Sequence, residues 1–494
     1  MRRHPHLYEI NTWPWLAELS RRYGRRLSLG TVPGEVWDGI RGRGMDLVYL
    51  MGIWTRSAIG RRIARSDPGA WASFDGATSA WHIPGVVGSA FCISGYEPDP
   101  ALGSLDDLDR ARAELNRRGM RLIVDFIPNH FGFDHPWTTS HPQRFVQGSE
   151  QDFRESPTSF RLVEQDGNEP RYIARARDPY FLPWSDVAQI DYSKADTRAA
   201  MAGELRAIAE HADGARCDMA MLVLSDVFAT TWRRFVDPPA QAREFWADAR
   251  DAVPGFLLIA EVYWDMEWRL QELGFDYTYD KRLYDRLVHE DAASVNGHLR
   301  ADAAYQDKSA RFIENHDEPR SAAVFGARTA AAAAVAATVP GMRFFYDGQF
   351  EGRRIRLPMQ LGDDVRERID GSIDAFYRRL LPAIDEPAFH DGEWALCAVE
   401  SVDHTSADLI AWCWKIGDQR RLVIVNLGTS CAQGRLVLAA EFLGSGERFV
   451  FDDALRDQRG ESARADLTGA GFVARVPGGH AQILSITAAA DREA

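Results

Sequence analysis

Cysteine is scarce in this 494-residue chain: there are five, Cys92, Cys217, Cys397, Cys413 and Cys431, and no two are spaced as CxxC. An odd, scattered set argues against a disulfide framework or a cysteine zinc site and points to a cytoplasmic setting. Long apolar runs are missing too; no stretch reaches 18 residues, so no membrane-spanning helix is expected. Met1 to His6 is basic but passes directly into strand-like sequence, without the apolar segment of a signal peptide. Positive charge is in deficit, with 58 basic against 72 acidic residues and a net charge of -14. That balance disfavours nucleic acid and anionic membranes as partners.

What is present alternates between strand and helix. Leu7-Ile10, Asp46-Ile53 and Arg121-Phe126 read as buried strands, followed by segments at 213–218, 256–262, 275–279, 311–317 and 342–348. Pro33 to Arg43 reads as a helix with proline in its first turn and Gly44 beyond its end. Ser104 to Arg118 is a second, with Ser104 and Asp107 spaced as a capping box and Gly119 as terminator. Ala330 to Ala337 is an alanine-rich barrel helix, and 54–87 is a long connection. Eight such strands within about 350 residues, with polar residues gathered at their C-terminal ends, predict a (β/α)8 TIM barrel. A doubly wound open sheet is the alternative, but no glycine-rich phosphate turn follows any strand. The barrel is expected over 1–130 and 190–388, with a small B-domain insertion after strand 3 at 131–189. Short alternating strands predict a C-terminal antiparallel β-sandwich at 389–488, and 489–494 reads as a frayed tail.

Within the fourth strand, Arg216-Cys217-Asp218 sets an arginine and a carboxylate two residues apart, hence on one face of an extended chain. Alone, Arg-x-Asp is most often a structural ion pair. Its company changes that weighting. Asp125, Asn129 and His130 (DFIPNH), Glu261 (AEVYW) and His316 with Asp317 (ENHDEPR) also fall at strand C-terminal ends, where barrel enzymes build their sites. Each has a dull account singly, as a turn cap, a buried ion-pair partner or a polar turn.

These four stretches, in this order, resemble the conserved regions of the α-amylase family, glycoside hydrolase family 13, and the resemblance extends over roughly residues 7 to 488. Asp191, in Gln189-Ile190-Asp191, sits where the family closes its B domain. The resemblance implies a retaining α-glycoside hydrolase or transglycosylase with Asp218 as nucleophile, Glu261 as general acid/base and Asp317 as the second aspartate steadying the transition state. Arg216 would hold Asp218, His130 and His316 would bind sugar hydroxyls, and Asp125 and Asn129 would support the site. Trp264 and Arg320, beside the third and fourth stretches, are counted as further candidate substrate contacts. The chemistry asks for one carboxylate ionised beside a cation and one carboxyl kept protonated. Arg216 serves the first requirement, and the apolar and aromatic neighbours of Glu261 serve the second.

The chain departs from the family at several positions. Met221-Leu222 replaces a common Lys-His pair, Phe91 replaces the stacking tyrosine while keeping an aromatic face, Gly88 replaces an aspartate of many exo-acting relatives, and Phe350 stands where a carboxylate is common. The substrate class is therefore read as α-glucosides or malto-oligosaccharides, with sugar, linkage, endo or exo action and hydrolysis versus transfer all left open. No cofactor is required. Calcium, with Asn129 as a candidate ligand and Asp134, Asp152, Asp178 or Asp186 as contributors, ranks below an ion-free site because no continuous acidic loop exists. Trp13, Trp15, Trp54, Trp81, Trp137, Trp184, Trp264 and Trp268 lie near strand ends and as a set favour a carbohydrate cleft. The rival reading is a catalytically silent carbohydrate-binding or interaction subunit, which usually lacks the nucleophile or acid; here all three carboxylates are present. The oligomeric state is open.

Overall fold

Eight segments whose side chains are almost wholly buried form the parallel strands of a closed barrel: β1 (His6–Asn11), β2 (Leu47–Met51), β3 (Arg121–Phe126), β4 (Gly214–Cys217), β5 (Leu257–Ala260), β6 (Tyr277–Tyr279), β7 (Ser309–Arg311) and β8 (Met342–Tyr346). The architecture comes from a computed structural model that describes residues 1–164, 170–237 and 243–489. Neighbours follow chain order and β1 closes the ring on β8, with His6 opposite Arg343 and Leu7 opposite Phe344. Register sets the site: Arg216 on β4 lies between Asp125 on β3 and Ile259 on β5.

The two helices marked by their ends form as expected, at Gly34–Gly42 and Leu105–Arg117. Ser104 Oγ accepts from Asp107 N at 3.3 Å and Asp107 Oδ2 accepts from Ser104 N at 3.0 Å, the reciprocal pairing of a capping box. The connection 54–87 is more structured than its sequence suggests. It holds helices Ala58–Ser66 and Pro68–Ala77, capped by Ser57 and Asp67. The seventh strand is shorter and earlier than 311–317. Beyond Arg311 the side chain of Asn315 accepts from the backbone N–H groups of Asp317 and Glu318, both at 2.9 Å, and turns the chain out of the ladder.

Between β3 and β4 the chain leaves the barrel through a two-stranded stem, His130–Gly132 against Val187–Gln189, and carries a three-stranded antiparallel sheet at its tip. The stem closes back on the barrel where Ile190 N donates to Asn129 O at 3.1 Å. After the barrel comes a six-stranded antiparallel sheet, with a three-stranded sheet of Glu400–Ser401, Ala432–Leu436 and Phe472–Val476. Leu409, Ala411, Leu422 and Ile424 face Leu436, Ala474 and Val476 between the two sheets, as a sandwich requires. Of the tail, residues 490–494 lie outside the described residues.

The central strands of the larger sheet, Leu409–Ile416 and Gln419–Asn426, are buried on both faces along most of their length. Ile410, Trp412, Trp414, Val423 and Val425 belong to the barrel's own core. They meet the alanine-rich helix Thr329–Thr338, in which every residue but Ala330 is buried. Small side chains let the helix lie close between barrel and sheet, and Trp414 Nε1 donates to Thr338 O at 2.7 Å. Trp414→Ala is therefore expected to cost about 3–5 kcal/mol, measured as a lower denaturant midpoint, through the cavity and the unpaired carbonyl it leaves. A midpoint within error of the wild type would show that the two layers are not coupled there.

Candidate active site

Extension and register bring Arg216 and Asp218 onto the same side of β4, and Arg216 Nη1 contacts Asp218 Oδ1 at 2.6 Å. The end of β5 delivers Glu261 to the same guanidinium, with Nη2 2.9 Å from Glu261 Oε2 in an ion pair without hydrogen-bond alignment. Asp317, at the end of the turn after β7, is 3.8 Å from Nη2. One buried cation thus serves three carboxylates. Its guanidinium also lies 5.0 Å from the centre of the Phe91 ring and 5.6 Å from that of Tyr279.

The backbone just past Asp218 is unusual. Met219 has φ 43, in the left-handed region, and its N–H donates to Glu261 Oε2 at 2.7 Å. Trp264 and Asp265, following Glu261, are left-handed as well, with φ 66 and φ 59. Three non-glycine residues in this region, all next to the carboxylates, mark strain held by surrounding structure. Tyr263 donates to Glu261 Oε1 at 2.8 Å.

His316 is gripped from both sides. Its Nδ1 faces Glu9 Oε1 of β1 at 2.5 Å and its Nε2 lies 3.0 Å from Asp317 Oδ2. Burial works to neutralise the imidazole, but Asp317 and Glu9 override it and hold the ring protonated well above the usual histidine range. Enclosure likewise pushes Asp317 up, and the charge and hydrogen bond of His316, with Arg216 and Arg356, bring it down to about 2. Glu261 goes the other way. Burial pushes its carboxyl up to about 7 against the pull of Arg216, and the charges of Asp218 and Asp317 add to the rise. Asp218 does not behave as a carboxylate steadied by Arg216 alone would. Its desolvation outweighs the arginine, and with Asp317 and Asp125 nearby its pKa moves up as well.

Asp218, Glu261 and Asp317 open on a cavity of about 380 Å³ lined also by Phe91, His130 and Trp184, within the usual size range of small-molecule sites. Burial lowers His130 to about 4, leaving it a neutral hydrogen-bonding ring near neutral pH. Phe91 stacks on His316 with ring centres 5.3 Å apart, so its other surroundings include the cavity itself. Arg216 and His316 stand behind the lining. Asp125 is further back, accepting from Tyr49 Oη and, at 2.6 Å, from Gly52 N. Arg320 is bound to Glu314 at 3.2 Å and to the Asp347 carbonyl at 2.8 Å, and Trp264 meets Tyr180 at 5.0 Å between ring centres; neither lines the cavity.

Several positions singled out in the sequence pack elsewhere. Met221 and Leu222 are core residues, and Phe350 is buried against Tyr8 and Tyr377. Of the tryptophans only Trp184 lines the cavity. Trp54 is wholly buried and donates to Asp125 O, Trp15 packs on Trp37, and Trp81 packs on Trp71 and Phe74. The sequence reading missed Glu9 and the hydroxyl of Tyr263. A carboxylate inside the apolar run Leu7-Tyr8-Glu9-Ile10 was the available signal, since a buried charge demands a partner.

The residues do not fit calcium. Asn129 Oδ1 already accepts from Gln189 Nε2 at 3.0 Å, which puts an N–H where a cation would stand. Asp134 and Asp152 cap helices and Asp178 accepts from Tyr180 N and Phe181 N, so these carboxylates serve separate local turns.

A parallel barrel with three carboxylates about one arginine at its C-terminal face belongs with the barrel enzymes. The model of the α-amylase catalytic domain matches residues 91–356, more than half of the chain, and the chain belongs to the α-amylase family. It is similar to the alpha-amylase MalA of Haloarcula japonica, 26% identical over 68% of this chain and 47% of that protein, and to alpha-amylase 3 of Dictyoglomus thermophilum, 21% identical over 55% and 57%. It thus spans about half the length of the curated relatives it matches. Its fold resembles that of the maltogenic alpha-amylase AmyB from Thermotoga neapolitana, with a TM-score of 0.69 over 99% of both chains at 20% identity.

Carboxyl-resolved NMR titration should find Glu261 changing charge near pH 7, a transition absent in Glu261→Gln. Arg216→Met should move Asp218 and Glu261 further up, because the cation lowers both. A Glu261 midpoint in the ordinary glutamate range, about 4.3, would contradict the electrostatics described.

Proposed function

We propose that this protein is a retaining α-glycoside hydrolase or transglycosylase that cleaves α-glucosidic bonds of α-glucosides or malto-oligosaccharides. The observation that carries the reading is the separation of charge states in one cavity: Glu261 protonated up to about pH 7 beside Asp317 ionised down to about 2. Carboxyls whose pKa values are driven apart in one site divide proton donation, by Glu261, from stabilisation of positive charge, by Asp317. The family, and a structural relative described as a maltogenic alpha-amylase, support the substrate class.

In this reading Glu261 gives its proton to the glycosidic oxygen as the bond to the anomeric carbon breaks, and Asp218, acting as the carboxylate and aimed by Arg216, forms a covalent glycosyl ester. Asp317 with His316 steadies the positive charge that develops on the sugar. Glu261, now ionised, takes the proton of a water or a sugar hydroxyl that displaces Asp218. His130 and Phe91 contact the sugar, with Trp264 and Arg320 as outer candidates, while Asp125 and Asn129 act as supports. Glu9 is a positioning residue acting through His316. The division into barrel (1–130 and 190–388), B domain (131–189) and C-terminal domain (389–488) belongs to the same proposal. A cytoplasmic setting is supported by the five free cysteines. Among the described residues no helix is long and apolar enough to cross a membrane.

Incubation with maltose, maltotriose, sucrose and trehalose, with and without an acceptor, separates hydrolysis from transfer. A 5-fluoro glycosyl fluoride should label Asp218. Asp218→Asn and Glu261→Gln should each lower turnover at least about a thousandfold. Wild-type kcat/KM should fall as pH rises through about 7, where Glu261 loses the proton it must donate. Unchanged turnover in either variant would overturn the assignment of these residues, and no adduct with any α-glycosyl donor would favour a binding subunit instead.

A further inference from the structure

The opposite end of the barrel holds a second cluster that the carbohydrate chemistry does not use. His6 opens β1, and Asp385 and His390 lie after the last barrel helix, Gly371–Ile384. One ligand atom from each comes within 4.8 Å of the other two; among the described residues this is the one such group. Both histidines are completely buried, while the Asp385 side chain is 37% exposed.

The imidazoles are set in a recognisable way. His6 Nδ1 lies 3.1 Å from Gly44 O and His390 Nδ1 lies 2.7 Å from His4 O. A carbonyl can only accept, so each ring carries its proton on Nδ1 and turns Nε2 into a bare lone pair. Neither Nε2 has a hydrogen-bond partner, although each is shut away from water. Two unpaired acceptors buried side by side are costly unless something else meets them. Histidines that bind metals are held in this manner, with the non-ligating N–H on a backbone carbonyl fixing tautomer and ring direction.

The third group is brought in by a missing side chain. Gly44 has φ 83, and a Cβ there would stand 2.9 Å from Asp385 Cγ. Only glycine lets the carboxylate lie against this turn, and Asp385 Oδ1 is 3.6 Å from His390 Nε2. A cavity of about 470 Å³, lined by Gly44 and Asp385 among others, opens on the carboxylate from solvent, with the two histidines behind it. Two cations face it. Arg2 pairs with Asp385 and, at 2.7 Å, with Asp46; Arg343 Nη1 is 3.5 Å from His390 Nδ1 but is committed to His4 O at 3.0 Å. Arg2 is the direct competitor for the carboxylate.

We propose that His6 Nε2, His390 Nε2 and a carboxylate oxygen of Asp385 form a site for Zn²⁺ or a similar borderline transition metal, with water in a fourth position. Two imidazoles and a carboxylate suit such an ion better than calcium or magnesium. Binding draws the three ligand atoms together, toward the separation of about 3.3 Å that a tetrahedral zinc imposes. The bound ion fastens β1, the strand that closes the barrel, to the segment leading into the C-terminal sheet. Its role is mechanical, since it sits at the end of the barrel remote from Asp218.

Calorimetric titration of the chelator-treated full chain with ZnCl2 tests this. One Zn²⁺ per chain is expected, with a rise in Tm on binding and visible absorption when Co²⁺ is substituted. His390→Gln should abolish stoichiometric binding, Asp385→Asn should weaken it about tenfold or more, and Arg2→Gln should strengthen it by releasing the carboxylate. Asp385 is surface-accessible, so its variant decides the matter even where His390→Gln fails to fold. No stoichiometric Zn²⁺ binding by the wild type, or affinities in Asp385→Asn and Arg2→Gln equal to the wild type, would overturn the proposal.

Discussion

A guanidinium sealed inside a barrel is the constraint on which this structure turns. Arg216 is 1% exposed, and a charge so far from water is tolerated only when opposite charge surrounds it. Asp218, Glu261 and Asp317 supply that charge, and Phe91 and Tyr279 flank it with aromatic rings. The dependence is mutual. Three carboxyls could not share so small a volume without the cation, and their protons would rearrange if it were lost. What differs among the three is what else they touch. Asp317 has the His316 imidazolium and stays ionised, whereas Glu261 has a phenol and a backbone N–H, neither of which offsets its burial.

The backbone is bent to keep this arrangement. Met219 in a left-handed conformation costs of order 1–3 kcal/mol, yet that turn aims its N–H at Glu261 Oε2. Asp218 N is anchored to Phe126 O and Ala220 N to Glu261 O, so the chain cannot relax without breaking the ladder at the strand ends. The proposed nucleophile and acid are therefore held by main chain as much as by side chain. That rigidity matters for a reaction whose rate depends on near-attack geometry.

What could be read from the sequence was mostly local. Arg216 and Asp218 share a face because a strand has period two; Ser104 and Asp107 cap a helix because they are three apart; and polar residues at successive strand ends converge because a barrel brings those ends to one side. What could not be read was contact between distant segments. Glu9 and His316 are 307 residues apart, and only closure of β1 onto β8 brings them together. The tryptophans misled for a related reason: nearness to a strand end does not say whether a ring faces the cavity, as Trp184 does, or the core, as Trp54 does. Strand seven stopped early because Asn315 offered the backbone a better partner than the ladder, a competition among alternatives that apolar patterning does not register.

The two ends of the barrel solve the same problem differently. At the C-terminal end, buried charge meets buried charge, and the result is a set of carboxyls whose protons can move. At the N-terminal end Arg343 meets carbonyls, those of His4 and Phe389, and burial lowers it to about 9. Carbonyl oxygens orient the Arg343 cation without exchanging a proton with it. The same carbonyl-based scheme orients His390, through the oxygen of His4 that Arg343 also uses. An arginine and an imidazole sharing one backbone acceptor leave the imidazole's other nitrogen facing the Asp385 carboxylate, 3.6 Å away and without a hydrogen bond. A buried lone pair set against a carboxylate is an arrangement that a cation completes.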